Sequence, residues 1–512
     1  MTEPTRGAEF EVDDADLQGR VARGLTWTMT DIWGRQLINL VTFVLLARLL
    51  SDTDFGLVAL ATVFVTFAQL FVDQGLGDAL IQRRTVSKGE VDTAFWAALA
   101  TGALLTVIGV AVGPLIGALV NEPELGPIIQ VLSLTFTLAA FTAIQIALLR
   151  RALAFRSLAA RALVATAVGG VVGVAAALQG FGAWALVAQQ VAAAIASVLT
   201  LWWVSPWKPS RYVSWSDFRE LFRFGSRVVG SDFLSFLSRY SDNFLIGIFL
   251  GPAALGLYAV GYRIVEVSQT ILINVARKIA FPAFSRLQHD PDRMVRAYLR
   301  LTRVASAVIL PGYIGLALVA TELTVVIFGE EWRSSGQVAA ILFLIGPVLT
   351  IQAFSDSLLN AAGHPEIVLR FRFITAVTSV IGFVLAVPFG ILAVAGAFVV
   401  RGYLLMPLLL IWMRRYAGVG PRAFLLQMRG AAAATLVMAA AVLGVKLWIG
   451  SSVGEVPLLL AEIAVALPAF FVTLWLVERD LVAELLSVGG QAIPVRAAWS
   501  RERARRSARR GG

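Results

Sequence analysis

The 512-residue chain is 58% hydrophobic and only 15% charged, with a mean hydropathy of +0.78, a balance that excludes a soluble globular domain. Its net charge of +10 would in a soluble protein point to nucleic acid, but in a membrane protein it reports orientation, and no nucleic-acid partner is expected. There is no cysteine, and the two histidines, His289 and His364, both fall in loops, so no disulfide, cysteine nucleophile, metal site or cofactor is expected.

The fold expected is an all-α integral membrane protein. Apolar runs of roughly 20 residues, enough to cross about 30 Å of hydrocarbon as helix, recur along nearly the whole chain. The alternating 10-residue pattern of a transmembrane barrel is absent. Residues 1–24 are acidic, with Glu3, Glu9, Glu11, Asp13, Asp14 and Asp16, and lack the apolar stretch of a cleavable signal; they read as a cytoplasmic N-terminal segment. Spans follow at 25–50, 54–80, 93–118, 127–149, 158–180 and 182–204, then, past a cytoplasmic linker at 205–227, at 228–250, 253–282, 304–321, 336–360, 366–389 and 391–412. Two more, 430–449 and 456–477, lie within 413–478 and bring the number to about fourteen. The end, 479–512, contains RAAWSRERARRSARRGG, a basic cytoplasmic tail drawn to anionic membrane lipids at about 1 kcal/mol per basic residue near the surface.

Orientation follows from the cations, which concentrate on the cytoplasmic side. With the N-terminus inside, the inner segments hold Arg6, Arg20 and Arg23; Arg83, Arg84 and Lys88; Arg150, Arg151, Arg156 and Arg161; and the basic residues of 205–227. They also hold those of 277–303, then Arg370, Arg372, Arg414, Arg415, Arg422, Arg429 and the tail. The outer connections SDTD, NEPELG, QGFG, GPAA, VPFG and SSVGEVP hold none, and Arg333 in GEEWRSS is the one plainly outer cation. An odd error in the number of spans would break this alternation. Both termini are therefore expected in the cytoplasm.

The chain also repeats. A shift of 201 lays Gly24 on Gly225, Asp31 on Asp232 and Phe43 on Phe244; a shift of 200 lays Gly56, Leu57 and Ala59 on Gly256, Leu257 and Ala259. A shift of 210 lays Leu148, Leu149, Ala152 and Gly180 on Leu358, Leu359, Ala362 and Gly390. The order of these matches predicts a six-helix unit used twice, an N-lobe at 25–204 and a C-lobe at 228–412, similarly oriented about an axis along the membrane normal. Helices 13 and 14 are extra.

Charges inside spans are costly, at least about 2.5–3.5 kcal/mol each near mid-membrane unless they face protein or water. Asp31 and Arg35 are spaced i,i+4 on the first helix; Asp232, Arg239 and Asp242 fall at i, i+7 and i+10 on the seventh; Arg263 and Glu266 at i,i+3 on the eighth. Arg35, Arg239, Arg263 and Glu266 come out near mid-membrane and are read as lining a central aqueous cavity between the lobes, suited to an anionic ligand. The competing reading makes them internal salt bridges; fully buried, the Asp31–Arg35 pair would cost about 3–5 kcal/mol on losing one partner. Arg48 and Asp73 lie near span ends, where long side chains snorkel. Asp356, beyond a Gly346-Pro347 break, is a helix-end or coupling carboxylate.

The segment FVDQGLGDALIQRRTVSKGEVDTAFW (71–96), with GLYAVGYRI at the start of helix 8 and LLNAAGHPEI after helix 10, resembles the polysaccharide transporter family. These are bacterial lipid-linked sugar flippases of the Wzx and WzxC type, within the multidrug/oligosaccharidyl-lipid/polysaccharide exporter superfamily. The resemblance implies a two-lobed fold with a cationic cavity formed by helices 1, 2, 7 and 8, and export of an undecaprenyl-diphosphate-linked oligosaccharide across the cytoplasmic membrane by alternating access. It implies a polysaccharide polymerase and glycosyltransferases as partners. With no Walker A sequence in the chain, energy would come from an ion gradient, the membrane potential or substrate supply. Three rivals stay open: an ion-coupled small-molecule antiporter of the same superfamily, which would favour carboxylates over arginines; a membrane glycosyltransferase or polymerase; and a membrane scaffold. The topology has a direct check, because single introduced cysteines report without background. Reagent access should place Arg84, Arg151, His289 and Arg415 inside and Asp52, Glu124 and Glu331 outside; an outside Arg151 overturns the assignment.

Overall fold

The computed structural model describes residues 17–73, 76–83, 86–205, 207–270, 272, 284, 287, 290–450 and 452–482. Most of the acidic N-terminal segment, the end of the eighth predicted span and nearly all of the basic tail lie outside these residues. Among the described residues every regular element is a helix. In chain order they are α1 (Leu17–Ala47), α2 (Asp52–Asp73), α3 (Leu76–Gln82), α4 (Lys88–Val120), α5 (Leu125–Arg151), α6 (Phe155–Leu178), α7 (Ala183–Val204), α8 (Trp215–Phe249) and α9 (Gly251–Gln269). Then come α10 (Pro291–Phe328), α11 (Arg333–Phe343), α12 (Gly346–Ala361), α13 (Pro365–Ala386), α14 (Ile391–Ala417), α15 (Pro421–Ile449) and α16 (Glu455–Val477).

Ten of these are long and apolar enough to cross a membrane, or eleven if the pair formed by 330–343 and 346–361, bent by 55°, is one span. The bend falls just before Gly346-Pro347, where the proline fixes a new helix start. Of the remaining long helices, α1 carries Asp31 and Arg35, α8 carries Asp232, Arg239 and Asp242, and α9 carries Arg263 and Glu266 and belongs to a predicted span whose end lies outside the described residues. Several boundaries differ from expectation, among them the starts of α10 at Pro291 rather than 304 and of α15 at Pro421 rather than 430. The second predicted span is two elements, α2 and the short α3. Helix α8 begins at Trp215, well inside the predicted linker, because Ser214 caps it with its hydroxyl accepting from the Asp217 amide; hydropathy alone is blind to such a start.

By internal contacts the chain forms two compact units: Met1–Ile264 with Ile327–Val338 and Arg372–Phe398, and Val265–Val326 with Ala339–Phe371 and Val399–Gly512. In the first unit α4 packs on α5 and α6 on α7 as tight hairpins, while α1 lies along α6 and α2 along α5. The stretch carrying the family resemblance builds a local anchor here. Leu76, Leu80, Val91, Phe95, Ile144, Leu148 and Trp207 bury one another, and a capping box between Ser87 and Glu90 starts α4. Buried Asp92 accepts from the backbone N–H and hydroxyl of Ser210, and the Trp96 indole donates to the Ser210 carbonyl at 2.7 Å. Arg83 bridges Glu90 and Glu220. The predicted linker is thus docked on α4. At another edge of the unit, GEEWRSS is more than a loop: Trp332 is fully buried, packs edge-on to Phe55 and donates to the Ala47 carbonyl at 2.8 Å.

In the second unit Tyr298, Tyr313, Phe343, Phe354 and Phe424 are fully buried. Arg303 on α10 grips the Glu478 carboxylate just past α16, with Nη2 to Oε2 at 2.8 Å.

The repeat has a structural counterpart within the first unit. A Cβ on Gly56 would lie 1.7 Å from the Pro252 carbonyl oxygen, and one on Gly256 would lie 1.8 Å from that of Asp52. Gly56 and Gly256, and equally positions 52 and 252, correspond under the shift of 200, so each helix start presses the same point of its counterpart. Reciprocal contacts of this kind are what a two-fold relation between equivalent helices produces. Only glycine lets backbones approach this closely. Gly56→Ala and Gly256→Ala should each destabilise the purified protein by about 1–3 kcal/mol, because the methyl meets backbone that cannot swing away. The controls Gly396→Ala and Gly444→Ala, helical positions with nothing within 4 Å, should be neutral or slightly stabilising in the same thermal melts.

Candidate functional site

Three helices of the first unit each turn one stripe toward a common space. From α2 come Thr62, Val65, Thr66 and Gln69; from α5 Thr135, Leu138, Ala139 and Thr142; from α7 Gln190, Ala193, Ala194 and Ser197. Each set follows the i, i+3, i+4, i+7 spacing of one helix face. Together with Arg161 from α6 they enclose a cavity of about 420 Å³. Small residues and polar side chains leave the space open inside otherwise apolar helices. The stripes on α5 and α7 lie at the middle of those helices and that on α2 just past its middle, while Arg161 enters from near the start of α6.

Arg161 is the one charged residue lining this cavity. Its Nη1 donates to Ser197 Oγ at 3.2 Å, and its Nε is buried with no hydrogen-bond partner, leaving donor capacity on a group that has five N–H bonds. Beside it, α1 and α6 run in close parallel contact: a Cβ on Gly34 would touch Leu163, and one on Gly170 would touch Thr42. That contact brings the Asp31–Arg35 pair within electrostatic reach of Arg161.

The pair has the geometry its spacing predicts. Arg35 Nε and Nη2 donate to Asp31 Oδ1 and Oδ2 at 2.7 and 2.8 Å, a fork on a carboxylate. The side chains are 41% and 19% exposed, so the pair is not the fully buried one for which a large penalty was expected. Asp31 offsets the repulsion between two neighbouring guanidinium groups and holds Arg35 in one orientation.

The other predicted residues are more scattered. Arg48 follows the end of α1, where its Nε donates to the Ile327 carbonyl at 2.7 Å; it ties two helix ends together. On α8, Arg239 is exposed whereas Asp242 is 2% exposed and accepts from the Tyr258 hydroxyl of α9 at 2.8 Å. The single face predicted for Asp232, Arg239 and Asp242 is therefore split between environments, and Asp242 is bound into the α8–α9 packing. Asp73 and Asp232 lie on α2 and α8, but their side chains are outside the described residues. Arg263 and Glu266 are half-buried on α9, and Asp356 is half-buried in the last turns of α12 in the second unit. Arg161 was missed as a site residue because counting from the span end makes it one more cation of an inner segment. The signal was present in the stripes of Thr, Gln and Ser on three apolar helices, which single out a polar interior.

The class so defined is a multi-pass helical membrane protein with a polar, arginine-bearing cavity among its spans. The chain belongs to the polysaccharide biosynthesis protein family, whose model matches residues 45–337, more than half of its length. It is 28% identical over 360 residues to the succinoglycan biosynthesis transport protein ExoT of Rhizobium meliloti (strain 1021), covering 70% of this chain and 73% of that one. It is 27% identical over 351 residues to the teichuronic acid biosynthesis protein TuaB of Bacillus subtilis (strain 168), covering 68% and 72%. Among solved structures it is similar to the lipid II flippase MurJ in an inward closed conformation, with a TM-score of 0.73, 12% identity, and coverage of 90% of this chain and 100% of that one; at that identity the likeness establishes the fold.

Because the pair is partly exposed, Asp31→Asn should cost about 1 kcal/mol of stability rather than the larger penalty of a sealed ion pair. In a double-mutant cycle with Arg35→Gln, the double variant should be more stable than the sum of the singles by a few tenths of a kcal/mol or more. Strict additivity in thermal melts shows the two residues uncoupled.

Proposed function

We propose that the protein is a flippase that moves an anionic lipid-linked oligosaccharide across the bacterial cytoplasmic membrane, inside to outside. The observation that carries this reading is Arg161: a guanidinium with unsatisfied donor capacity inside a polar cavity enclosed by apolar helices. A pyrophosphate-linked glycan cannot cross hydrocarbon unaided. Guanidinium groups match its phosphate oxygens with paired, charge-assisted hydrogen bonds, and the Thr, Gln and Ser lining offers partners to sugar hydroxyls. Relatives named for polysaccharide biosynthesis, a succinoglycan biosynthesis transport protein among them, support the same substrate class. Movement, not bond making, is the work such a site does.

In this proposal Arg35, Arg239 and Arg263 join Arg161 as cations available to the head group at successive stages, and the lipid tail stays in the bilayer. The duplicated lobes at 25–204 and 228–412 rock by alternating access, with both termini in the cytoplasm and the end of the cavity carrying Arg161 facing inward. A cation antiporter would line its cavity with carboxylates, whereas the charge lining this one is positive. A polysaccharide polymerase and glycosyltransferases would supply and use the cargo.

Replacing Arg161 with Ala should lower surface-polysaccharide export at least about tenfold, the loss of one charge-assisted phosphate contact, while membrane levels of the folded protein stay unchanged. Arg161→Lys should restore export only in part, since a point charge replaces a planar fork. Lipid-linked oligosaccharide should accumulate in the inner leaflet. Normal export from Arg161→Ala combined with Arg35→Ala would remove the cationic site from the mechanism.

A further inference from the structure

The second unit contains an ion cluster that the transport reading does not use. Glu322 on α10, Lys446 on α15 and Glu462 on α16 meet where α10 and α15 end and α16 begins. The Lys446 ammonium lies 2.6 Å from Glu322 Oε1 and donates to the Leu318 carbonyl, one turn earlier on α10, at 3.0 Å. Glu462 Oε1 is 4.0 Å from the same ammonium, too far for a hydrogen bond. Glu462 is 0% exposed, and neither of its oxygens has a hydrogen-bond partner; Glu322 Oε2 is also buried without one.

The charge does not balance. Two carboxylates face one ammonium, and that ammonium is committed to α10. Beyond Glu322 and Lys446, the titratable group that bears on Glu462 is Glu455, another carboxylate, in the first turn of α16 itself. A buried carboxylate with no donor and like charges around it is among the costliest groups a membrane protein can hold. A single proton removes the excess charge and supplies the donor that the unpartnered oxygens lack.

We propose that Glu462, with Glu322 and Lys446, forms a proton-binding site among α10, α15 and α16. The bound proton sits on the Glu462 carboxyl and is shared toward Glu322, and Lys446 sets how tightly it is held. The Lys446 side chain is 34% exposed, whereas the Glu462 carboxyl it faces is sealed. By the distribution of cations along the chain this end of the three helices faces outward, so its occupancy follows the external pH. The inference does not depend on what the cavity of the first unit carries.

The test is infrared difference spectroscopy on the full chain in lipid nanodiscs, titrated from about pH 5 to about pH 9, the range over which a buried carboxyl is displaced from its ordinary value. A protonated-carboxyl C=O band should be present at the acid end, disappear as the pH rises and be missing from Glu462→Gln. In Lys446→Met it should persist to higher pH, since the cation that favours the charged form is gone. Carbodiimide labelling of the unsubstituted protein, read at Glu462 by mass spectrometry, should fall at least about tenfold over the same range, and it reports even if Glu462→Gln fails to fold. Absence of the band at acid pH, a band unchanged in a folded Glu462→Gln, or labelling that does not vary with pH overturns the proposal. Loss of labelling on adding sodium chloride but not choline chloride, at fixed pH, also overturns it and makes the cluster a metal-cation site. Loss of polysaccharide export in Arg161 variants has no bearing on any of these readings.

Discussion

Hydrocarbon offers no partner to a charge, and the placement of every ionised group within these helices answers to that constraint. Most are satisfied locally or across a helix pair. Arg35 is held by Asp31 on its own helix, Arg303 by Glu478, and Asp242 accepts from Tyr258. Such contacts cost little because each partner meets the other's hydrogen-bonding needs, and they set how neighbouring helices rotate against one another. Against that background the unsatisfied atoms stand out. Arg161 Nε in the first unit and the Glu462 carboxylate in the second are buried without a hydrogen-bond partner, positions where the fold tolerates an expensive group.

Close packing is the second constraint, and it acts through residues with no side chain. Where α2 and α9 begin, the reciprocal contacts of Gly56 with Pro252 and of Gly256 with Asp52 leave no room for a methyl group. Between lipid-facing helices association depends on packing and interhelical hydrogen bonds, so contact this close is a main source of cohesion. The duplicated starts of these helices therefore have a physical job, the same on both, while their charges have diverged: α9 carries Arg263 and Glu266 where α2, at a shift of 200, has Val63 and Thr66.

Hydropathy and the cation distribution made the helices and their order legible, because both are properties of single segments. A helix overlaps every one of the predicted spans. Missing from such a reading were features that depend on a partner far along the chain. Trp332 looks like part of an outer loop until the Ala47 carbonyl and Phe55 close around it. Asp242 looks like one of three charges on a face until Tyr258 claims it. Arg161 looks like an inner-segment cation until α2, α5 and α7 turn their polar stripes toward it. The Asp31–Arg35 pair was legible for the converse reason, since i,i+4 neighbours meet wherever the helix goes.

Among the described residues of 71–96, the stretch that carries the family resemblance, none lines the cavity. Its side chains bury a small apolar core, cap α4 and fasten the segment around Ser210, so the resemblance it carries is a resemblance of architecture. On the proposed reading, what distinguishes one cargo from another lies in the cavity stripes, where Thr, Gln, Ser, Ala and Leu can exchange without disturbing that anchor. A site built to hydrogen-bond particular hydroxyls discriminates strongly against a ligand lacking them, whereas a change of apolar bulk discriminates weakly. In the proposed flippase, selectivity for one glycan would rest on a few amide and hydroxyl side chains, Gln69 and Gln190 foremost among them because each carries both donors and acceptors, with the guanidinium beside them as the group proposed to meet the charge.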